Sequence, residues 1–188
     1  MTTYIGLLRG INVGGHKPVA MVDLRELLAH LGFLDARSLL QSGNLVFLGD
    51  ARAGGELERL LETEAATRLG LDTCFFARTA EEWEAIVDRN PFPGEAGRDP
   101  ARLVVMFLKD APASAGVDAL QAGIAGPEVL RADGRQLYVV YPDGMGRSCL
   151  TGTLIERKLG MRGTARNWNT VLGLRALSRE LRAGTGPS

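Results

Sequence analysis

The chain has 188 residues, with 22 Lys+Arg against 22 Asp+Glu. That length suits one domain or two small intertwined ones, either able to bury a core, and the balanced charge disfavours non-specific nucleic-acid binding, which relies on a positive excess. The composition indicates no collagen, coiled coil or disordered tail, and no apolar run approaches the roughly 20 residues of a bilayer span.

The first residues lack a basic segment followed by an apolar run, so no signal peptide is read. Cys74 and Cys149 make no disulfide framework, and no CxxC pair or histidine cluster offers zinc ligands. The expectation is a soluble cytoplasmic protein with reduced thiols, no metal, no cofactor motif and no membrane association.

In chain order, Thr3 to Leu8 reads as a central strand, apolar on both faces apart from Gly6. A polar loop follows, Arg9-Gly10-Ile11-Asn12-Val13-Gly14-Gly15-His16-Lys17. After Pro18 comes a helix with Leu24, Leu27, Leu28 and Leu31 on one face. Ala36–Gln41 and Asn44–Leu48 read as strands joined at Ser42-Gly43. A second amphipathic helix spans 56–69, with Leu57, Leu60, Leu61 and Ala65 inward, and Thr73–Ala77 is a fourth strand. Thr79-Ala80-Glu81-Glu82 is a capping box opening a short helix that buries Trp83, Ile86 and Val87. This first part is β-α-β-β-α-β, the ferredoxin-like pattern.

Pro91 to Pro100 reads as the connection between halves. Arg102–Leu108 is an apolar strand and 114–123 a modest helix. Glu128–Ala132 and Gln136–Tyr141 flank the Asp133-Gly134 turn. Leu150, Leu154, Ile155 and Leu159 mark another helix. Thr164–Asn169 leads into a last one carrying Val171, Leu174, Leu177 and Leu181. The predicted class is α+β, two ferredoxin-like subdomains with antiparallel sheets. Residues 1–90 form a βαββαβ half, and 91–188 a βαββα half with the final helices.

In such a half the first two strands run the same way. The loop after strand one, the hairpin after strand two and the start of the first helix therefore share one end of the sheet. This places Arg9, Asn12, Gly14 and Gly15 near Gln41, Ser42 and Asn44, beside the partial positive charge of a helix N-terminus. Arg9 supplies a planar fork of donors; Asn12, Gln41 and Asn44 offer donors and acceptors. None is a general base, and Asn12, Ser42 and Asn44 equally suit turns. His16 is the loop's one candidate proton-transfer group, and the reading preferred for it is an exposed histidine without a role.

Two later stretches are candidate extensions. Arg147 and Ser148 precede a helix that Ser148 would cap, with Cys149 in its first turn as a buried thiol. Arg166, Asn167 and Asn169 surround a packed Trp168, with Asn167 as a cap. Gly10 to Gly15 has P-loop spacing, yet Lys17 comes one place late and Pro18 has no hydroxyl, so a nucleoside triphosphatase is rejected. Gly144-Met145-Gly146 lacks the last glycine and the parallel context of a dinucleotide fold.

Leu7-Leu8-Arg9-Gly10-Ile11-Asn12-Val13-Gly14-Gly15, Gln41-Ser42-Gly43-Asn44 and Arg166-Asn167-Trp168-Asn169-Thr170-Val171 together resemble the bacterial domain-of-unknown-function family numbered 1697. Asn90-Pro91-Phe92 and the Tyr141–Ser148 loop also fit. The resemblance runs from about Thr3 to about Leu181 and implies two related α+β subdomains. The chain departs from the pattern at Cys149 and Gly152, where lysine and asparagine are expected. The family brings no agreed activity.

Three functions compete. The preferred one is a binding or catalytic site for a small anionic or phosphorylated molecule, built from the Arg9 loop and the Gln41–Asn44 hairpin, with Arg147, Ser148, Arg166, Asn167 and Asn169 as possible partners. Next is a non-catalytic scaffold or oligomer. A nucleic-acid module comes last.

Overall fold

The computed structural model describes residues 1–11 and 19–184; Asn12, Gly14, Gly15 and His16 lie outside the described residues. The chain divides into two compact units, Met1–Ile86 with Gly173–Ser188, and Val87–Leu172. Each is an α+β unit with a four-stranded antiparallel sheet.

Unit 1 runs β1 (Thr2–Leu8), α1 (Met21–His30), β2 (Leu34–Ser38), β3 (Asn44–Gly49), α2 (Gly54–Leu69), β4 (Phe75–Thr79) and α3 (Ala80–Asp88, which continues into unit 2). Its sheet order is β2-β3-β1-β4, with β1 antiparallel to both β3 and β4. Alternation along the strands sends Tyr4, Leu8, Leu45, Phe47, Phe75 and Ala77 into one core, where they meet Leu24, Leu27 and Leu28 of α1 and Leu57, Leu61 and Ala65 of α2. The opposite face is buried too: Ile5, Leu7, Val46 and Phe76 are fully enclosed. The Thr79 capping box forms, the Thr79 N–H donating to Glu82 Oε2 at 2.8 Å and the Glu82 N–H to Thr79 Oγ1 at 3.2 Å.

Unit 2 runs α4 (Pro93–Arg98), β5 (Leu103–Leu108), α5 (Ser114–Ala122), β6 (Val129–Asp133), β7 (Gln136–Val140), a 3-10 turn at Met145–Arg147, α6 (Gly152–Leu159), β8 (Gly163–Asn167) and the start of α7 (Trp168–Gly184). Its sheet order is β6-β7-β5-β8. The second half is therefore a complete βαββαβ. The sequence shows the first five elements but not β8, whose Gly163-Thr164-Ala165-Arg166-Asn167 has no apolar alternation and becomes a strand by pairing with β5.

The sequence puts the division at residue 90 and keeps everything beyond it in the second half. The structure instead returns the chain from Gly173 onward to unit 1. There, Arg179 binds Glu84 of α3 with both Nε (2.6 Å) and Nη2 (2.7 Å), and Arg182 reaches Glu81 at 3.2 Å. The hydrogen bond from Arg179 holds the Glu84 carboxyl below the usual carboxylate range. Leu181 is fully buried. Among the described residues, no helix is long and apolar enough to cross a membrane.

The two halves share atomic devices as well as topology. The edge strand of each is covered by carboxylates from the preceding helix. In unit 1 the N–H groups of Phe75 and Ala77 donate to Glu62 and Glu58, both at 2.9 Å. In unit 2 the N–H of Gly163 donates to Glu156 at 2.8 Å. Exposed strand edges invite pairing with other chains, and these carboxylates occupy them. Arg78 and Arg166 take matching places on β4 and β8, each donating to the carbonyl of the preceding alanine at 2.8 Å.

Candidate functional site

The turn after β1 is pinned on both sides. The Leu8 N–H donates to Gly43 O at 2.9 Å, tying it to the hairpin tip. The Arg9 N–H donates to Cys74 O at 3.0 Å, and the Thr73 hydroxyl to Arg9 O at 2.7 Å, tying it to the entry of β4. The turn and the tip thus share one rim of the sheet, as the parallel run of β1 and β2 dictates. Gly10 makes the bend at φ +63°.

The hairpin differs from the short one expected. β2 ends at Ser38, and residues 39–43 form the loop. The cause is Asn44, fully buried, whose Nδ2 donates to Leu39 O and to Ser42 Oγ, both at 2.9 Å, while the Leu39 N–H donates to Asn44 O at 3.0 Å. Asn44 therefore builds the tip and holds Ser42. Leu40 projects from the tip, 62% exposed at φ +60°, a region leucine occupies at a cost. Gln41 and Ser42 are exposed and Arg9 is half-buried.

Gly43 is the joint between turn and tip. It sits at φ +73°, and a Cβ there would lie 2.8 Å from Leu8 Cβ and 2.8 Å from Ile11 Cδ1. Gly43→Ala should lower stability by about 2–3 kcal/mol, from the left-handed backbone and the clash combined. Chemical denaturation checks this; a loss below about 0.5 kcal/mol, the level of an ordinary surface change, would mean that the joint yields.

Unit 2 repeats the same backbone plan at the corresponding end. The Leu108 N–H donates to Arg135 O at 2.8 Å and the Lys109 N–H to Arg162 O at 3.4 Å. The connection to the following helix differs in length: residues 109–113 there, against 9–20 in unit 1. The longer connection belongs to unit 1.

The remaining candidates belong to unit 2. Ser148 does not cap α6. Thr151 does, its Oγ1 accepting from the Leu154 N–H at 3.1 Å. Ser148 instead donates its hydroxyl to Glu128 Oε1 and accepts from the Leu150 N–H at 2.9 Å. With its proton given to a carboxylate, Ser148 is a poor anion ligand. Cys149, expected buried in the first helical turn, is exposed ahead of the cap; Cys74 is half-buried. Arg147 is exposed.

Arg166 donates to Thr164 Oγ1 at 2.7 Å and Ala165 O at 2.8 Å, and burial pulls its guanidinium down to about 10. Asn167 caps α7, its Oδ1 accepting from the Thr170 N–H and hydroxyl, both at 3.0 Å. Trp168 is packed, 4% exposed, and Asn169 is exposed. In sheet 2 the register pairs Asn167 with Val104, at the start of β5, so this motif occupies the sheet end opposite Lys109. A nucleic-acid platform on the sheets lacks its aromatics: Tyr4, Phe47, Phe75, Phe76, Phe107 and Tyr138 are all fully buried.

The family model described as "Protein of unknown function (DUF1697)" matches residues 1–138, ending before the Arg166-Asn167-Trp168 motif. No curated protein matches. Among solved structures the chain is similar to the conserved bacterial protein SP0830 from Streptococcus pneumoniae, with 26% sequence identity and a TM-score of 0.73, over 94% of this chain and 98% of that one.

Proposed function

The chain belongs to the DUF1697 family of proteins of unknown function, and from that premise we propose that its unit 1 holds a small anionic or phosphorylated molecule at the rim formed by Arg9, Gln41 and Ser42. The observation that supports this reading is the union of the β1 turn with the hairpin tip through the Leu8–Gly43 hydrogen bond of 2.9 Å. That union joins the turn that carries half-buried Arg9, with its planar donor fork, to the tip that carries exposed Gln41 and Ser42. Asn44 is a positioning residue, holding Ser42 from below. Asn12, Gly14 and Gly15 join the proposal by sequence position alone. The same reading places the protein in a bacterial cytoplasm, in keeping with free Cys74 and Cys149 and with the bacterial SP0830.

The test is calorimetric titration of the full chain with inorganic phosphate, sulfate and adenosine monophosphate. At least one should bind, and Arg9→Ala should weaken it by about tenfold or more, since a charge-assisted hydrogen bond contributes roughly 1.5–3 kcal/mol. An Arg9→Ala protein that binds each of them as the parent does would remove the proposal.

A further inference from the structure

We propose that unit 2 carries a second, separate site, for a small organic cation with an apolar body, in the cavity walled by α5, the loop into β6 and α6. The cavity is about 380 Å³. Its apolar lining comes from buried Leu120 and Leu150 and half-buried Ile124 and Leu154. Glu128 stands in its wall at 8% exposure.

A carboxylate this deep is normally paired with a cation. Glu128 has no ion pair among the described residues. Its Oε1 accepts the Ser148 hydroxyl, which is itself anchored by the Leu150 N–H. Its Oε2 takes no hydrogen bond from any described residue, yet it is not sealed from solvent. Arg147 and Lys158 also line the cavity, but both are exposed, and exposed charges couple weakly.

The backbone is shaped around this carboxylate. The loop passes close over the carboxyl group: a Cβ on Gly126 would meet Glu128 Oε2, and the side chain would have to turn aside. One oxygen is held by the Ser148 hydroxyl and the other takes no hydrogen bond among the described residues, on a residue that lines a hollow walled in part by leucine and isoleucine. An ammonium group would supply the missing counter-charge while its hydrocarbon part covers the leucines. The site is independent of the Arg9 rim and takes the opposite charge.

The experiment uses three probes of one shape on the full chain: 2-phenylethylammonium, 2-phenylethanol and 3-phenylpropionate, followed by backbone amide NMR. The ammonium should shift the Leu150 and Gly126 amides at millimolar concentration, about tenfold or more tighter than the alcohol, and the carboxylate should not bind. Glu128→Gln should abolish the preference for the cation, and Leu154→Trp, which fills the hollow and keeps the carboxylate, should abolish binding. Arg9→Ala should change neither. No binding of the ammonium, equal binding of ammonium and alcohol, or a cation preference that survives Glu128→Gln would each overturn the proposal. Should Glu128→Gln fail to fold, undiminished binding to Leu154→Trp overturns it alone.

Discussion

Replacing Glu58 with alanine should lower the unfolding free energy by about 3–5 kcal/mol, the range for breaking a buried ion pair from one side. Glu58 on α2 and Arg78 on β4 are each 2% exposed, with Nη1 and Oε1 3.5 Å apart. The same Oε1 accepts the Ala77 N–H at 2.9 Å. Removing the carboxylate strips a buried guanidinium of its counter-charge and leaves an edge-strand amide without its acceptor, itself worth about 1–3 kcal/mol. Glu58→Gln separates the two losses, because an amide oxygen still serves Ala77. Hydrogen exchange at the Ala77 amide should therefore quicken in Glu58→Ala and stay slow in Glu58→Gln. The double variant Glu58→Leu with Arg78→Met should recover most of the stability, since well-packed apolar residues commonly replace a buried pair at little cost. Unit 2 carries the same edge device, Glu156 covering the Gly163 N–H at 2.8 Å. Denaturation midpoints at constant m-value measure all of these. A loss under about 1 kcal/mol in Glu58→Ala, typical of exposed pairs, would show that the Glu58–Arg78 charges are solvated.

That the Arg9 turn meets the Ser42 tip was legible because it follows from strand direction alone, and direction is implied by the order βαββ. The shape of the tip was not. The loop over 39–43 is held by the Asn44 amide, through a contact of five residues' separation with Leu39 O. The N-cap of α6 was misassigned for a related reason. Ser148 and Thr151 both carry suitable hydroxyls, and the choice is made by Glu128, twenty residues away, which claims Ser148. Glu58 lies in a helix whose apolar spacing is plain, yet its own burial depends on an edge amide of β4 that no local pattern announces. β8 is a strand by partnership with β5 rather than by composition. The sequence signals what a segment buries; it does not signal which distant donor or acceptor makes a polar residue buriable.

Phe47→Ala should cost about 5 kcal/mol, the upper end of the range for a buried phenylalanine. The ring is fully buried in β3, 5.7 Å from Tyr4 in a stacked pair and 5.0 Å from Phe33 edge-on. Each such pair adds about 0.5–1.5 kcal/mol beyond burial. The packing also explains two strand glycines. A Cβ at Gly6 would lie 3.1 Å from Phe47 Cε1, and one at Gly49 would lie 2.5 Å from Phe33 Cδ1, so the rings rest where side chains are missing. This predicts coupling of opposite sign in the two backgrounds. Gly6→Ala in the parent should destabilise by about 1 kcal/mol, through crowding of an immobile ring. In the Phe47→Ala background the same change should stabilise by about 0.5–1 kcal/mol, because the crowding is gone while alanine still restricts the unfolded chain more than glycine does. A four-corner denaturation cycle reads the coupling directly. Additive effects within about 0.3 kcal/mol would mean that ring and glycine do not share the space, and the aromatic stack could then not be what holds this face of the sheet flush against α1 and α2.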